Sequence, residues 1–336
     1  VNVGADSALT LAGLSGFNQA LTGGGALNIS NANRDFRFGA NAGNQFAGRV
    51  NLSNVLFNLS GDNGAALGKA TLLIGREATV SVGAGAQAIG GLTLDGGTTQ
   101  FTGAGVITSD SLNVSNNSII QVQNNLSLSD NLLEQGYGEA RVLVQSNALS
   151  AETLAKLSLQ DLDGNVLTDN TTLDIIQTGE AVAQGSYNFA LSGDKGLSAV
   201  ARLVKLALFA NKTLELDTAN VTEAAKTFTT QITGTGNLTL NAAGGTLTLS
   251  NAENNYTGAT SIDAGTVVAG SDSALGNTAQ LTTAAGAAFN LSGRAQTLGA
   301  LTNNGAVTLG ENGALTSGAL ANGGTVDIGG GALTLT

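Results

Sequence analysis

Outside its centre, the chain alternates apolar and polar residues for only three to five positions at a time, and each run stops at Gly, Asn, Asp or Ser. Ala26-Leu27-Asn28-Ile29, Arg49-Val50-Asn51-Leu52, Ala78-Thr79-Val80-Ser81-Val82, Leu92-Thr93-Leu94, Leu112-Asn113-Val114, Leu126-Ser127-Leu128, Leu238-Thr239-Leu240 and Thr246-Leu247-Thr248-Leu249 all have this form. Period-two alternation bounded by turn residues predicts β-strands with one buried face. Strands this short do not suit a sandwich of long hairpins. They suit a backbone that turns a corner every few residues and buries its apolar side chains against the next winding.

The strands recur at about 20 residues, the period of a β-solenoid coil. A larger repeat lies over this one. Phe17 to Ile29 resembles Phe228 to Leu240, with Gly23-Gly24-Gly25 opposite Gly234-Thr235-Gly236. Asn44-Gln45-Phe46-Ala47-Gly48 pairs with Asn254-Asn255-Tyr256-Thr257-Gly258, Ala66-Leu67-Gly68 with Ala274-Leu275-Gly276, and Ala86-Gln87 with Ala295-Gln296. These offsets all lie near 210 residues, so the two ends are divergent copies of one module. The expected architecture is all-β: a parallel β-helix, with coils over 1–133 and 227–336, roughly a dozen of them, interrupted by a section at 134–226. That section carries 19 of the 37 charged residues. Ser150 is placed to cap a short helix running to Leu157. Ser186 to Leu191, the Gly193-Asp194-Lys195-Gly196 turn and Leu197 to Phe209 predict a long β-hairpin, a subdomain protruding from the coil.

Composition supports the solenoid. The chain has 48 Gly and only 11% charged residues, yet 42% of it is hydrophobic and patterned, which separates it from a disordered Gly-rich tract. Pro is absent. Pro has no N–H for a ladder, so its absence suits strands that have neighbours on both sides. Cys is absent too, which excludes disulfides and thiolate metal sites and suits a chain that crosses an oxidising periplasm unfolded. A net charge of −11 with scattered basic residues argues against nucleic acid as a partner. No apolar run reaches the roughly 18 residues of a transmembrane helix, and residues 1–20 lack the pattern of a signal peptide. The chain begins and stops inside β patterns and is expected to be a piece of a longer protein.

The stretch from Gly234-Thr235-Gly236-Asn237-Leu238 through Asn251-Ala252-Glu253-Asn254-Asn255-Tyr256-Thr257-Gly258 to Ser273-Ala274-Leu275-Gly276-Asn277 resembles the passenger-associated repeat of autotransporters. Gly185-Ser186-Tyr187-Asn188-Phe189-Ala190-Leu191, with Lys212-Thr213-Leu214-Glu215-Leu216, is similar to the hairpin section of AIDA-type, self-associating adhesins. The resemblance implies a right-handed β-helix, secreted through the periplasm and displayed at the cell surface by its own C-terminal outer-membrane β-barrel or released. It implies roles in bacterial aggregation, biofilm formation, attachment and virulence. The partners implied are passengers on neighbouring cells or a host matrix protein or glycan. A spacer that presents a distal domain is the alternative.

Enzymatic chemistry finds little to work with. Without His, neither a Ser-His-Asp nor a Cys-His arrangement can be built. No cofactor is expected. Asp161-Leu162-Asp163-Gly164-Asn165 looks superficially like a calcium loop but lacks the closing bidentate Glu, so a tight Asp-Gly turn is expected and no metal. The glycine runs, without a following Lys-Ser/Thr, are read as coil corners at positive φ. The candidate binding residues are polar clusters at turns: Asn31, Asn33, Arg34, Asp35 and Arg37 at one, and Asn116, Asn117, Asn124 and Asn125 beside a strand. Such amides either stack inward as ladders or project outward as rows of donors and acceptors. Arg34 and Arg37 are the candidates for a sulfated glycan.

Overall fold

In a computed structural model of the chain, residues 1–123 and 129–336 are described, and they form a parallel β-solenoid. Asn124, Asn125 and the strand expected at Leu126-Ser127-Leu128 lie outside the described residues. The chain divides into two compact units. One comprises Val1–Ser127, Ala140–Thr168 and Phe189–Val200, and the other Leu128–Glu139, Asp169–Asn188 and Ala201–Thr336. Together the winding comes to about 16 turns, because the section at 134–226 also contributes strands to the ladders.

In the first unit a six-stranded parallel sheet runs from Ala8–Ala12 through Ala26–Ser30, Arg49–Leu52, Thr71–Gly75 and Gly91–Asp95 to Leu112–Asn116. Its register aligns Leu27, Val50, Leu72, Leu92 and Leu112, one position every 20 to 23 residues. The parallel row Ile29, Leu52, Ile74, Leu94 and Val114 lies two residues on. All ten side chains are buried. Each fully buried Leu, Ile or Val stabilises the fold by about 1.5–3 kcal/mol, so the alternation itself fixes which face turns inward. A seven-stranded sheet forms another wall and stacks Phe36, Phe57, Val80, Thr99, Ile120 and Leu159 in the same way.

The second unit repeats the scheme. Leu214, Leu238, Thr260, Leu281 and Leu301 are aligned, as are Leu247, Val267, Phe289 and Val307. The 210-residue repeat has a structural meaning. Phe46 and Tyr256 are both buried corner residues. Ala47 N–H donates to Gly23 O at 2.9 Å, as Thr257 N–H donates to Gly234 O at 3.0 Å. Asn254 ties three windings together: its Oδ1 accepts from Ile232 N at 2.8 Å and its Nδ2 donates to Ala274 O at 2.7 Å.

The regular winding is interrupted in the middle of the chain. Ile107 pairs with Val144 across 37 residues, where a normal turn takes about 20. Glu180–Ser192 and Gly196–Leu208 are the two long strands of the hairpin, and Thr171–Gln177 pairs antiparallel with the first of them. The capped helix is shorter than the sequence suggests. It covers Ala151–Leu154, with Ser150 Oγ accepting from Thr153 N at 3.2 Å. Leu157 instead opens a strand, because pairing Leu157–Asp161 with Ser118–Val122 seats Leu159 in the interior stack. Ladder pairing over five residues outweighs one further turn of a marginal helix.

The glycine runs also differ from expectation. Of Gly23-Gly24-Gly25 only Gly23 has positive φ, at 102°. Gly25 is required for a different reason: a Cβ there would lie 2.1 Å from Gly4 O and 2.4 Å from Ser7 O of the preceding winding. Gly24 faces open space. Gly25→Ala is therefore expected to lower the melting temperature, with a cost of about 1–3 kcal/mol from forced backbone shifts. Gly24→Ala should be neutral or stabilise by about 0.4–1 kcal/mol through the unfolded chain. Paired thermal melts of the two variants check this, and equal effects would refute the close-approach explanation.

Candidate adhesive surface

The residues that alternate with the buried stacks form continuous outward rows. On the six-stranded sheet of the first unit this row reads Thr10, Asn28, Asn51, Leu73, Thr93 and Asn113. Asn51 Nδ2 donates to Asn28 Oδ1 of the winding before it at 2.8 Å. On the neighbouring wall Ser81, Gln100, Gln121 and Gln160 are aligned, and Gln100 Nε2 donates to Gln121 Oε1 at 2.7 Å. The second unit presents Thr239, Ser261, Thr282 and Thr302. A second row there holds Thr248, Val268, Asn290 and Thr308. Successive members sit about 4.8 Å apart, the strand spacing, so the rows are straight files of hydroxyls and amides, broken by an aliphatic side chain at Leu73 and at Val268.

Of the candidate residues, five lie together, Asn31, Asn33 and Arg34 in a turn and Asp35 and Arg37 on the strand Asp35–Phe38 that follows it. Asn31 is buried and its Nδ2 donates to Asp35 O at 3.0 Å, closing the corner from within. Asn33 adopts the left-handed conformation at φ 59° and is exposed, as are Arg34, Asp35 and Arg37. Arg37 pairs with Asp35 at 3.4 Å, and with both side chains more than 60% exposed the pair adds little. Asn116 and Asn117 are exposed, and Asn116 Nδ2 donates to Asp95 Oδ1 at 2.6 Å on the adjacent winding. The turn cluster and the Asn116–Asn117 pair lie at the same corner of the coil, between the six-stranded and the seven-stranded sheet, but four windings apart. Asn124 and Asn125 fall outside the described residues.

Two shallow grooves lie on the first unit. One of about 520 Å³ runs over Arg49, Leu73, Thr93 and Asn113 and is walled by Asn147 to Thr153. The other, of about 660 Å³, lies beside the hairpin tip between Val142, Val200, Asp194 and Lys195. Sequence reasoning identified neither, since each joins residues brought together only by the insertion.

Asp161 settles into the turn foreseen for it. Gly164 N donates to Asp161 O, and Gln160 bridges antiparallel to Val166. The carboxylate is buried and accepts from Asp163 N at 3.0 Å, Asn165 N at 2.7 Å and Asn165 Nδ2 at 2.8 Å. Burial alone would raise its pKa, but these hydrogen bonds together outweigh burial and hold it below the ordinary carboxylate value. Its oxygens are thus committed to the chain. Among the described residues no group of three or more Asp or Glu is placed to hold a metal ion. At Glu180 the hydrogen bond and charge of Lys212, 2.6 Å away, lower the pKa of an exposed carboxylate.

The solenoid with its polar rows defines a structural class: proteins built by stacking parallel coils. Residues 244–269, the segment that contains Leu247, Asn254, Tyr256 and Gly258, match the passenger-associated-transport-repeat family. The chain is 34% identical over 88% of its length to an Escherichia coli K12 protein described as uncharacterized protein YuaQ, covering 24% of that protein. It is 32% identical over 94% of its length to the uncharacterized lipoprotein YdeK of the same strain, covering 27% of it. Over 29% of the chain it is 46% identical to the adhesin BmaC autotransporter of Brucella suis biovar 1, of which it covers 3%. The chain spans about a quarter of the length of the first two relatives. No solved structure matches it. The chain is an autotransporter passenger domain.

The Asp161 turn yields a pH-dependent prediction. Asp161→Asn turns an amide donor toward the Asn165 Nδ2 donor and should cost about 1–3 kcal/mol at neutral pH. A carboxylate whose pKa is lowered on folding stabilises the native state above its unfolded value, and that contribution fades as pH falls through its lower folded value. The stability gap between wild type and variant should therefore close in strong acid. Denaturant melts from pH 7 down to pH 2 measure it, and a gap that stays constant would refute the role of the charge.

Proposed function

We propose that this passenger is a non-enzymatic adhesin that acts by self-association between passengers on neighbouring cells, through weak polar contacts repeated along its outward rows. The observation that carries this reading is the in-register file of Asn, Gln, Thr and Ser on each unit. One hydroxyl or amide pair contributes little net energy in water, about 0.5–1.5 kcal/mol. A row meeting another row makes the same contact once per winding. Many passengers on one cell raise effective concentration, so avidity exceeds a single contact by about 10²–10⁴. The name of the Brucella relative, an adhesin, supports the same reading. Display at the outer membrane by a C-terminal barrel after crossing the periplasm, and a part in aggregation and biofilm formation, belong to this proposal.

Attachment to a host matrix protein or glycan, with Arg34 and Arg37 at an exposed turn, is the competing outcome. The experiment is to couple the protein densely to beads and score clumping beside a panel of matrix proteins and sulfated glycans. Self-association predicts clumping that falls steeply with coupling density, weak or undetectable dimerisation of the free protein, and loss of clumping when Gln100, Gln121, Thr282 and Thr302 are changed to Lys. Beads that stay dispersed at every density would overturn the proposal. Inertness across the panel as well would favour the spacer.

A further inference from the structure

Where the solenoid is interrupted, the seven-stranded sheet ends at Leu157–Asp161 with the Asp161 turn folded back on it, and two further sheets end on a strand with one neighbour. In the first unit, Leu112–Asn116 ends the six-stranded sheet, and among the described residues Gly91–Asp95 is its one strand neighbour. In the second unit, Thr213–Asp217 lies at an edge of the ten-stranded sheet and among the described residues pairs with Asn237–Leu249 alone. An open edge of backbone N–H and C=O groups is a template for another strand. The chain could have left both edges to solvent, and it does not.

Leu112 N–H donates to Asn147 Oδ1 at 2.7 Å, and Asn147 Nδ2 donates back to Leu112 O at 3.3 Å. Glu215 N–H donates to Gln177 Oε1 at 2.8 Å, and Gln177 Nε2 donates back to Glu215 O at 2.9 Å. Two residues further along the same edge, Asp217 O accepts from Asn131 Nδ2 at 2.8 Å. A primary amide offers one acceptor and one donor side by side, the pair of groups that a neighbouring strand would present. At Leu112 and at Glu215 a single side chain therefore takes both backbone groups.

Each of these side chains is held in place by the insertion itself. Leu149, two residues after Asn147, donates its N–H to Gly193 O at 2.8 Å. Asn131 Oδ1 accepts from Leu133 N at 2.9 Å and so caps the helix Leu132–Tyr137. Gln177 ends the strand Thr171–Gln177 and is fixed by the tight Thr178-Gly179 turn, where both residues have positive φ. The strand Ala8–Ala12, which lies at the other edge of the six-stranded sheet, receives no side-chain hydrogen bond on its backbone among the described residues.

We infer that Asn147, Gln177 and Asn131 are edge caps that occupy the place of a missing strand and keep a second copy of this chain from adding its own strand to the interrupted solenoid. A second copy is the relevant partner because it carries strands of the same period, with the same Leu and Val positions facing inward. Without the caps, edge-to-edge pairing would compete with lateral contact through the outward rows. The inference stands apart from the adhesive reading: the caps act on backbone edges whether or not the rows bind.

The test uses the full chain with Asn147→Ala and Gln177→Ala, singly and together. Amide hydrogen exchange at Leu112 and at Glu215 should quicken by at least about tenfold in the matching single variant, with the other amide unchanged. The double variant should form concentration-dependent dimers and larger species in sedimentation runs under conditions where the wild type shows none. Should the alanine variants fail to fold, Asn147→Leu and Gln177→Met keep the side-chain volume and remove the hydrogen bonds, and the same outcomes apply to them. Unchanged exchange at both amides overturns the capping role. Faster exchange in a double variant that associates no more than wild type overturns the exclusion of a second copy.

Discussion

The structure depends on one relation: the backbone N–H and C=O groups of each winding are met by the winding before and the winding after. A single coil of about 20 residues has no core of its own and would leave its polar backbone half paired. Stacking solves both problems at once, since the spacing that closes the hydrogen bonds also brings Leu27, Val50, Leu72, Leu92 and Leu112 into contact as one apolar column. Side chains are therefore judged by register. A residue must suit the residue one turn earlier and one turn later, and this is why the same position is refilled by Leu, Val or Ile along both inward rows of the six-stranded sheet.

The same rule governs the polar interior. Tyr256 is fully buried and its hydroxyl is 2.8 Å from Thr260 Oγ1, which is in turn 2.8 Å from Thr278 Oγ1. Burial raises the Tyr256 pKa well beyond its ordinary value, so the phenol stays neutral and serves as a hydrogen-bond link. Further along, the inward row Leu216, Leu240, Ile262 gives way to Thr283 and Asn303, and Asn303 Nδ2 donates both to Asn322 Oδ1 and to Thr325 O at 2.8 Å. An amide survives in the interior because the next winding supplies its partner. Asparagine thus appears in three settings here: stacked inside at Asn303, stacked outside at Asn28 and Asn51, and at left-handed corners such as Asn33.

How much of this was legible in the sequence follows from the distance over which each feature is specified. Period-two runs and turn residues are local, so the strands at Ala26–Ser30, Arg49–Leu52 and Gly91–Asp95 could be read directly, whereas the two runs at Leu238–Leu240 and Thr246–Leu249 prove to be one continuous strand, Asn237–Leu249. The match of Asn44 to Gly48 with Asn254 to Gly258 is a comparison within the chain, and it pointed to a shared corner before any geometry was known. Glycine was harder. The string Gly23-Gly24-Gly25 hides three different situations, because what crowds Gly25 is a carbonyl of another winding. The caps were not legible at all. Asn147, Gln177 and Asn131 act on residues 35, 38 and 86 positions away, and one polar side chain in an irregular segment carries no period to betray its partner.

The interruption also shows what the solenoid rule costs when it is broken. Arg141 lies in the strand Glu139–Gln145, just where the insertion rejoins the ladder, and its two terminal guanidinium nitrogens are buried without a hydrogen-bond partner. Burial lowers its pKa. Arg141 as a whole is only half-buried, but shielding those nitrogens without a partner costs stability. In a protein whose neighbouring coils are built from small uncharged residues, such a cost is tolerated only because stability is spread over many windings, each adding nearly independently of the others. That spread frees individual turns to accommodate an insertion or a polar corner. It also makes an extended file of weak contacts the kind of binding surface that this architecture can supply without a deep site.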